Sequence, residues 1–433
     1  VLALTVLMVL SLATAAFAAE VTYEGKVKVK WGNEISHNPT LELDEEGKVV
    51  EKATDKDTGF KKDALEAKIE VALTEDYGNG VTAGVKTKVE AQADVYNDDG
   101  DVNKEYKFDG GGWVQVERDL FTLKASTDID GNAAKDLGGE NALAGAPGVG
   151  LDLRLMDGLT VNTVLNAGSE YGYLVKGEFA EDLFTIGAGF QSETAGNRVK
   201  ADKEYDITAS RSVYAVYGSV NVIEPLTVKA EYSGRKYTLS DDTKAVLDSL
   251  DPEFGLKFDK ETDITGLLAS AAFVQDAIDA KASFLMQDAG FNSLKDDDAD
   301  QDWRLNEDYR FKPTYDVSVL FLDASYKLAE DIEIGGYFDY LLSVKSDGNK
   351  LAKEVEDKID KTSYKVNAAY TMDDLKFEGW YKAYHNSQFG GKTTYTLAED
   401  VNASFEVAYT KFAEKVGDKD GKVSYSAVVE AKL

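Results

Sequence analysis

Apolar and polar residues alternate with a period of two along most of this chain. Tyr23, Gly25, Val27, Val29 and Trp31 are interleaved with Glu24, Lys26, Lys28 and Lys30. Leu65, Ala67, Ile69, Val71 and Leu73 are interleaved with Glu66, Lys68, Glu70 and Ala72. From Val81 the set Val81, Ala83, Val85, Val89, Ala91, Ala93 and Val95 stands against Thr82, Gly84, Lys86, Lys88, Glu90, Gln92 and Asp94. An extended strand turns successive side chains to opposite faces. Each run therefore predicts a strand with one greasy and one charged side. The 3.6-residue period of a helix fits none of them.

Two kinds of connection separate the runs. Tight turns recur at Tyr77-Gly78-Asn79-Gly80, Glu117-Arg118-Asp119, Met156-Asp157-Gly158-Leu159, Ala180-Glu181-Asp182-Leu183, Ile223-Glu224-Pro225-Leu226 and Gln275-Asp276-Ala277-Ile278. Three more are Ala329-Glu330-Asp331-Ile332, Met372-Asp373-Asp374-Leu375 and Ala398-Glu399-Asp400-Val401. In each, acidic or turn-forming residues separate strands that resume at once, and Asn-Gly tolerates the positive φ of a hairpin turn. The alternate connections are mostly long and polar: Gly32–Lys61, Asn97–Gly110, Asp128–Ala146, Glu193–Ser210, Ser240–Glu261, Asp288–Lys312 and Ser346–Lys361. Shorter ones lie near Gly168–Tyr171, Asn386–Lys392 and Ala413–Gly421.

Short turns at one end and mostly long loops at the other is the asymmetry of a membrane-spanning β-barrel. The nine hairpins, a first strand near Tyr23–Trp31 and a last near Lys422–Leu433 give twenty strands. Weak segments such as Thr393–Leu397 widen the expectation to about 16–20, and the number should be even. The fold class is all-β, a closed antiparallel transmembrane β-barrel. The competing architecture is a soluble sandwich or solenoid. Against it stand long apolar faces such as Ile332/Ile334/Gly336/Phe338/Tyr340 opposite an almost wholly polar set, and the lack of a repeat of constant length.

Val1–Leu12 is nearly all apolar and is followed by Ala16-Phe17-Ala18, the small-x-small pattern of a secretory cleavage site. The run is shorter than the roughly 20 residues of a spanning helix. Residues 1–18 are expected to be a signal peptide truncated at its start, and residues 19–433 a single barrel domain. Composition fits this picture. No cysteine braces the fold, and five prolines against 37 glycines and 23 tyrosines suit long ladders. With 48 basic against 79 acidic residues and a net charge of −31, the chain lacks the basic face that nucleic-acid binding needs. The acidity has two readings: an acidic lumen and outer loops that favour cations, or the surface of a halophile.

If the apolar faces meet lipid, the charged faces line a bore. Its lining is expected to include Lys26, Lys28, Lys86, Lys88, Glu90, Arg154, Lys229, Glu231, Arg235 and Asp339. Burying so many unpaired charges in a dry interior would cost several kcal/mol each, whereas a water-filled lumen solvates them. Catalytic material is sparse. The two histidines, His37 and His385, fall in or near loops; Gly110-Gly111-Gly112 does not precede a helix; no serine lies in a Gly-x-Ser-x-Gly elbow. No cofactor is expected. Asp296–Asp302 gathers oxygen ligands but lacks the glycine and distal glutamate of a calcium loop.

The leader, the amphipathic strands, the short turns and the long loops together resemble the general bacterial porins. The resemblance covers the mature chain and rests on architecture; the terminal Leu433 departs from the aromatic residue that usually closes such barrels. It implies an outer-membrane location, passive diffusion of small hydrophilic solutes and ions, and a homotrimer. It further implies that the third external loop folds into the barrel and sets a constriction. Here that loop is Asp128–Ala146, and Asp128, Asp130, Asp136 and Glu140 would form its acidic side, facing Lys26, Lys28, Lys86 and Lys88. Mild cation selectivity is the expectation. A structural or adhesive surface protein anchored by its barrel is the alternative. A sugar-type substrate channel is a third reading, on the inward aromatics Trp380 and Tyr384.

Overall fold

A computed structural model describes residues 20–36, 39–43, 49–53, 56–58, 65–94, 103–137, 143–167, 171–200, 204–240, 261–288, 315–346, 361–383, 387–416 and 419–432. The predicted leader (residues 1–18), Asp296–Asp302, His37, His385, Tyr384 and Glu140 lie outside them.

The first strand is β1 (Glu20–Ser36). The short β2 (Pro39–Leu43) and β3 (Val49–Ala53) pair only with each other, and β4 (Lys56–Thr58) pairs with the far end of β1. The wall continues as β5 (Leu65–Asp76), β6 (Val81–Asp94), β7 (Asn103–Arg118), β8 (Phe121–Gly131), β9 (Leu143–Met156) and β10 (Leu159–Ala167). Next come β11 (Tyr171–Ala180), β12 (Phe184–Lys200), β13 (Glu204–Ile223), β14 (Leu226–Leu239), β15 (Glu261–Gln275) and β16 (Ile278–Gln287). The ring ends with β17 (Tyr315–Ala329), β18 (Ile332–Ser346), β19 (Thr362–Met372), β20 (Leu375–Ala383), β21 (Ser387–Ala398), β22 (Val401–Val416) and β23 (Lys419–Lys432).

Each strand from β5 to β23 pairs antiparallel with its neighbours in sequence. β1 closes the circle, pairing with β5 on one edge (Glu20↔Thr74 to Val29↔Leu65) and with β23 on the other (Lys26↔Lys432 to Asn33↔Tyr425). The ring is β1 plus the nineteen strands β5–β23, twenty among the described residues and an even number as expected. All nine tight turns are where the pattern placed them. Asn79, Asp276 and Asp373 hold positive φ values of 53°, 48° and 49° at their hairpins, a conformation that short polar side chains tolerate best.

The two faces differ as the alternation demands. On β13, Val213, Ala215 and Tyr217 are at most 5% exposed, while Tyr214, Val216 and Val220 between them are 37–55% exposed. The outer face carries apolar side chains all round, and aromatic pairs bridge neighbouring strands at two heights. Phe179–Phe184 lies at the turn end; Tyr173–Phe190, Tyr364–Tyr381 and Phe389–Tyr409 lie towards the loop end, with ring centroids 5.3–6.0 Å apart. Two aromatic girdles around an apolar band mark the exterior of a transmembrane barrel. Closure leaves nearly every backbone group paired, the condition for crossing hydrocarbon.

Several expected loops are in fact strand. β12 and β13 run to 17 and 20 residues, leaving only 201–203 of the predicted Glu193–Ser210 connection outside their ladder. β7 begins at Asn103 inside the predicted Asn97–Gly110 loop, and β21 occupies most of Asn386–Lys392. A spanning strand needs about 9–11 residues, so β12 and β13 are longer than a crossing requires. Between Glu193 and Ser210 charged and small residues interrupt the alternation, and the ladder continues without its sequence signature.

Candidate pore and its constriction

The described first part of the third long connection, residues 129–137, leaves the wall and crosses the bore. At Ser126 the pairing of β8 with β9 slips in register. The Ser126 hydroxyl accepts from the Asp128 N–H at 3.2 Å and donates to the Asp128 carbonyl at 2.8 Å, closing a local turn. Beyond it, Ile129 packs inward over Gly148 and Gly150 and joins Ala133, Val164, Leu174 and Val213 in one apolar cluster. Eight residues later, Leu137 is 1% exposed in a second cluster with Ile264 and Leu285, and Tyr237, Leu268 and Phe321 pack against it. Residues 129–137 therefore touch strands from β9 to β17. So short a segment reaches that far only as a chord through the interior, since chain extends at most about 3.6 Å per residue.

Polar anchors hold the chord to the wall. Glu231 on β14, 2% exposed, accepts hydrogen bonds from the backbone N–H groups of Lys135 (2.8 Å) and Asp136 (2.5 Å). Gln191 on β12 accepts from the Ala133 N–H at 2.8 Å. Lys176 on β11 donates to the carbonyls of Asn132 and Ala134, each at 3.4 Å. Gly189 explains how close the chord sits: a β-carbon there would come within 2.8 Å of the Ala133 Cα and still nearer its carbonyl. Glycine at an inward strand position permits backbone-on-backbone contact.

The chord's charges are matched locally. Lys135 Nζ lies 2.8 Å from the Glu178 carboxylate, which also accepts from the Tyr217 hydroxyl at 3.0 Å. Lys135 and Lys176 each stand 5.1 Å from the Tyr217 ring centroid, a cation–π distance. Asp136 lies 4.0 Å from Lys229 on β14.

Of the four acids expected at the constriction, Asp136 is the one on the crossing segment 129–137 whose side chain is described. Asp128 is exposed at the bulge, and the inward side chain there is Ile129. Asp130 has its backbone in β8 but its side chain lies outside the described residues, as does all of Glu140. The basic groups expected opposite them take carboxylate neighbours on their own wall. Lys26 lies 3.3 Å from Glu430, Lys86 2.5 Å from Glu70 and Lys88 2.6 Å from Glu90. Lys28 is half-buried on the same face of β1. Arg154 sits at the turn end, 3.2 Å from Glu117, and donates to the Arg118 carbonyl at 2.8 Å and to the Thr122 hydroxyl at 2.9 Å. Trp380 faces inward as expected, its indole N–H 3.4 Å from Gln388.

Sequence reasoning named Glu231 only as lining and missed Glu178, Gln191, Gly189 and Tyr217. Gly187-Ala188-Gly189, with its small residues on alternate inward positions, was the one available signal.

The fold and lining define a barrel with an apolar exterior and a charged, partly obstructed lumen. No protein-family model matches the chain, and no curated protein matches it. Solved structures with similar folds include the Acinetobacter baumannii protein OccAB2, at 7% identity and a TM-score of 0.48 over 96% of this chain and 98% of that one. The Pseudomonas aeruginosa protein OprD is 10% identical with a TM-score of 0.44 over 96% and 95%. A porin of Rh. blastica is 10% identical with a TM-score of 0.35 over 96% and 100%.

Proposed function

We propose that this protein is an outer-membrane channel through which small hydrophilic solutes and ions diffuse passively. The observation that carries the reading is the inserted segment 129–137, which narrows a bore whose remaining wall is lined by charged side chains under an apolar exterior. Charges such as Lys86 and Glu70 are 56% and 22% exposed within the barrel, which a water-filled lumen solvates and a dry one would not. The barrel binds no reactant covalently in this reading; pore radius and electrostatics do all the work.

Mild cation preference belongs to the same reading. Its sources are the acids on and around the crossing segment, opposed by the lysines of β1 and β6. Assembly as a homotrimer, implied by the porin resemblance, is part of it too. Reconstitution of the mature chain in planar bilayers tests the proposal. Stable ohmic steps, with a reversal potential in a salt gradient displaced towards the cation potential, are expected. Silence across repeated reconstitutions would favour a barrel that only anchors surface loops.

A further inference from the structure

Trp380 on β20 faces the bore but has no part in the constriction. Its indole lies across Gly390 on β21, the residue paired with it. A β-carbon at Gly390 would come within 2.6–2.8 Å of the ring, so glycine is what lets the indole settle against the wall. Register extends this low floor, since Gly390 is paired with Ala408 on β22, itself 2% exposed. The indole N–H donates to the Gln388 side-chain carbonyl at 3.4 Å, and the Gln388 amide donates to the Thr410 hydroxyl at 3.0 Å. A glycine beneath the ring and an amide beside it hold the ring in place.

Two polar rows frame the floor. Lys382, Gln388 and Thr410 are in register on its loop side, and Glu378, Lys392 and Glu406 on its turn side. Each row is two residues along the strand from the floor, about 6.6 Å at 3.3 Å per residue. Lys382 Nζ stands 6.0 Å from the indole centroid. Two other inward aromatics also lie across glycines: Tyr217 over Gly187 and Trp113 over Gly84. At Tyr217 the crossing segment already uses the ring, with Lys135 and Lys176 each 5.1 Å from its centroid and the side chain 5% exposed. Trp380 is half-buried and keeps part of its surface open. Of the three, it also has a charged side chain at the next inward position in both directions, Glu378 and Lys382. Trp113 has Gly111 on one side and Tyr217 has Ala215.

We propose that Trp380 and the rows beside it form a subsite for a neutral pyranose on the wall of the bore. An indole face is electron-rich and attracts the C–H hydrogens that a pyranose presents on one side of its ring. The hydroxyls at the edge of the sugar reach the rows, where Gln388, Lys382 and Lys392 donate and Glu378 and Glu406 accept. A carboxylate placed there would meet Glu378 and Glu406, and a cation would meet Lys382 and Lys392. The mixed frame therefore selects an uncharged polyhydroxylated ring over an ion. This inference rests on the reading of the chain as a channel with an aqueous bore and names a solute class for it.

The test uses the full mature chain in lipid nanodiscs, titrated with maltotriose and followed by saturation-transfer NMR on the sugar, a readout that needs no conduction. Saturable transfer is expected, strongest to the C–H protons on one face of a pyranose. Trp380→Leu, which keeps apolar bulk and removes the ring, should weaken half-saturation at least tenfold, and Trp380→Phe should fall between. Gly390→Ala should weaken it about threefold by lifting the indole from the wall. Trp113→Leu should leave the wild-type value. Glucuronate, a pyranose with a carboxylate, should compete at least threefold more weakly than glucose. Absence of saturable transfer in the wild type, equal half-saturation in Trp380→Leu, or equal competition by the two monosaccharides would overturn the subsite. The channel reading is judged separately on ohmic conductance without sugar, so the two fail on different measurements.

Discussion

Replacing Glu231 by alanine should detach the crossing segment from the wall without unfolding the barrel. The carboxylate is 2% exposed and accepts from two consecutive backbone N–H groups, those of Lys135 and Asp136. A hydrogen bond to a charged group contributes roughly 1.5–3 kcal/mol, and a buried donor left without a partner adds a further penalty. Loss of both bonds therefore costs the attached state about 3 kcal/mol or more, or a shift of roughly 100-fold at 1.4 kcal/mol per tenfold. The strand ladders on both sides of Glu231 are backbone-made and survive the change. Hydrogen exchange followed by mass spectrometry reads this directly. Amides in the peptide covering 132–137 should exchange about 100-fold faster in Glu231→Ala, with β12–β15 unchanged. Unitary currents should become noisier, with a larger upper level. Glu231→Gln keeps one acceptor oxygen and should fall between. Protection of 132–137 equal to wild type in Glu231→Ala would refute the anchoring role.

Gly189→Ala should give a similar loop phenotype by steric means. The new methyl collides with the Ala133 backbone, at about 1–3 kcal/mol for an overpacked contact; unaltered loop exchange would show that the chord can shift freely. Neutralising both Lys86 and Lys88 with glutamine should move the reversal potential towards the cation side at 0.1 M salt. The shift should largely vanish at 1 M, where the Debye length is about 3 Å; no shift at either salt would remove these lysines from the ion path. Asn79→Ala should lower stability by about 1–2 kcal/mol because φ is 53° there. Asn79→Gly should be near neutral, as read from urea unfolding in micelles, and equal losses in the two variants would assign the effect to the side chain's contacts instead.

Strand number, turn positions and the sidedness of the wall were legible in the sequence, because a period of two with a lipid-facing side is a local property. Each of Val213, Ala215 and Tyr217 differs from Tyr214 and Val216 simply by parity, and parity is set once a hairpin turn fixes the register. The lengths of the outer strands were not legible, since Glu193–Ser210 loses its hydrophobic contrast while its ladder continues.

What tertiary structure alone decided is the path of the third connection. Composition marked its acids, yet Ile129 and Leu137 are the side chains that take it across the lumen, and Glu231, 95 residues after Asp136, receives it. The same departure of β8 ends its ladder with β7 at Trp113↔Ser126 among the described residues. Neither event has a local signature, because both depend on which distant strands a closed ring brings face to face. Alternation determines the two surfaces of the wall; closure determines what meets inside it.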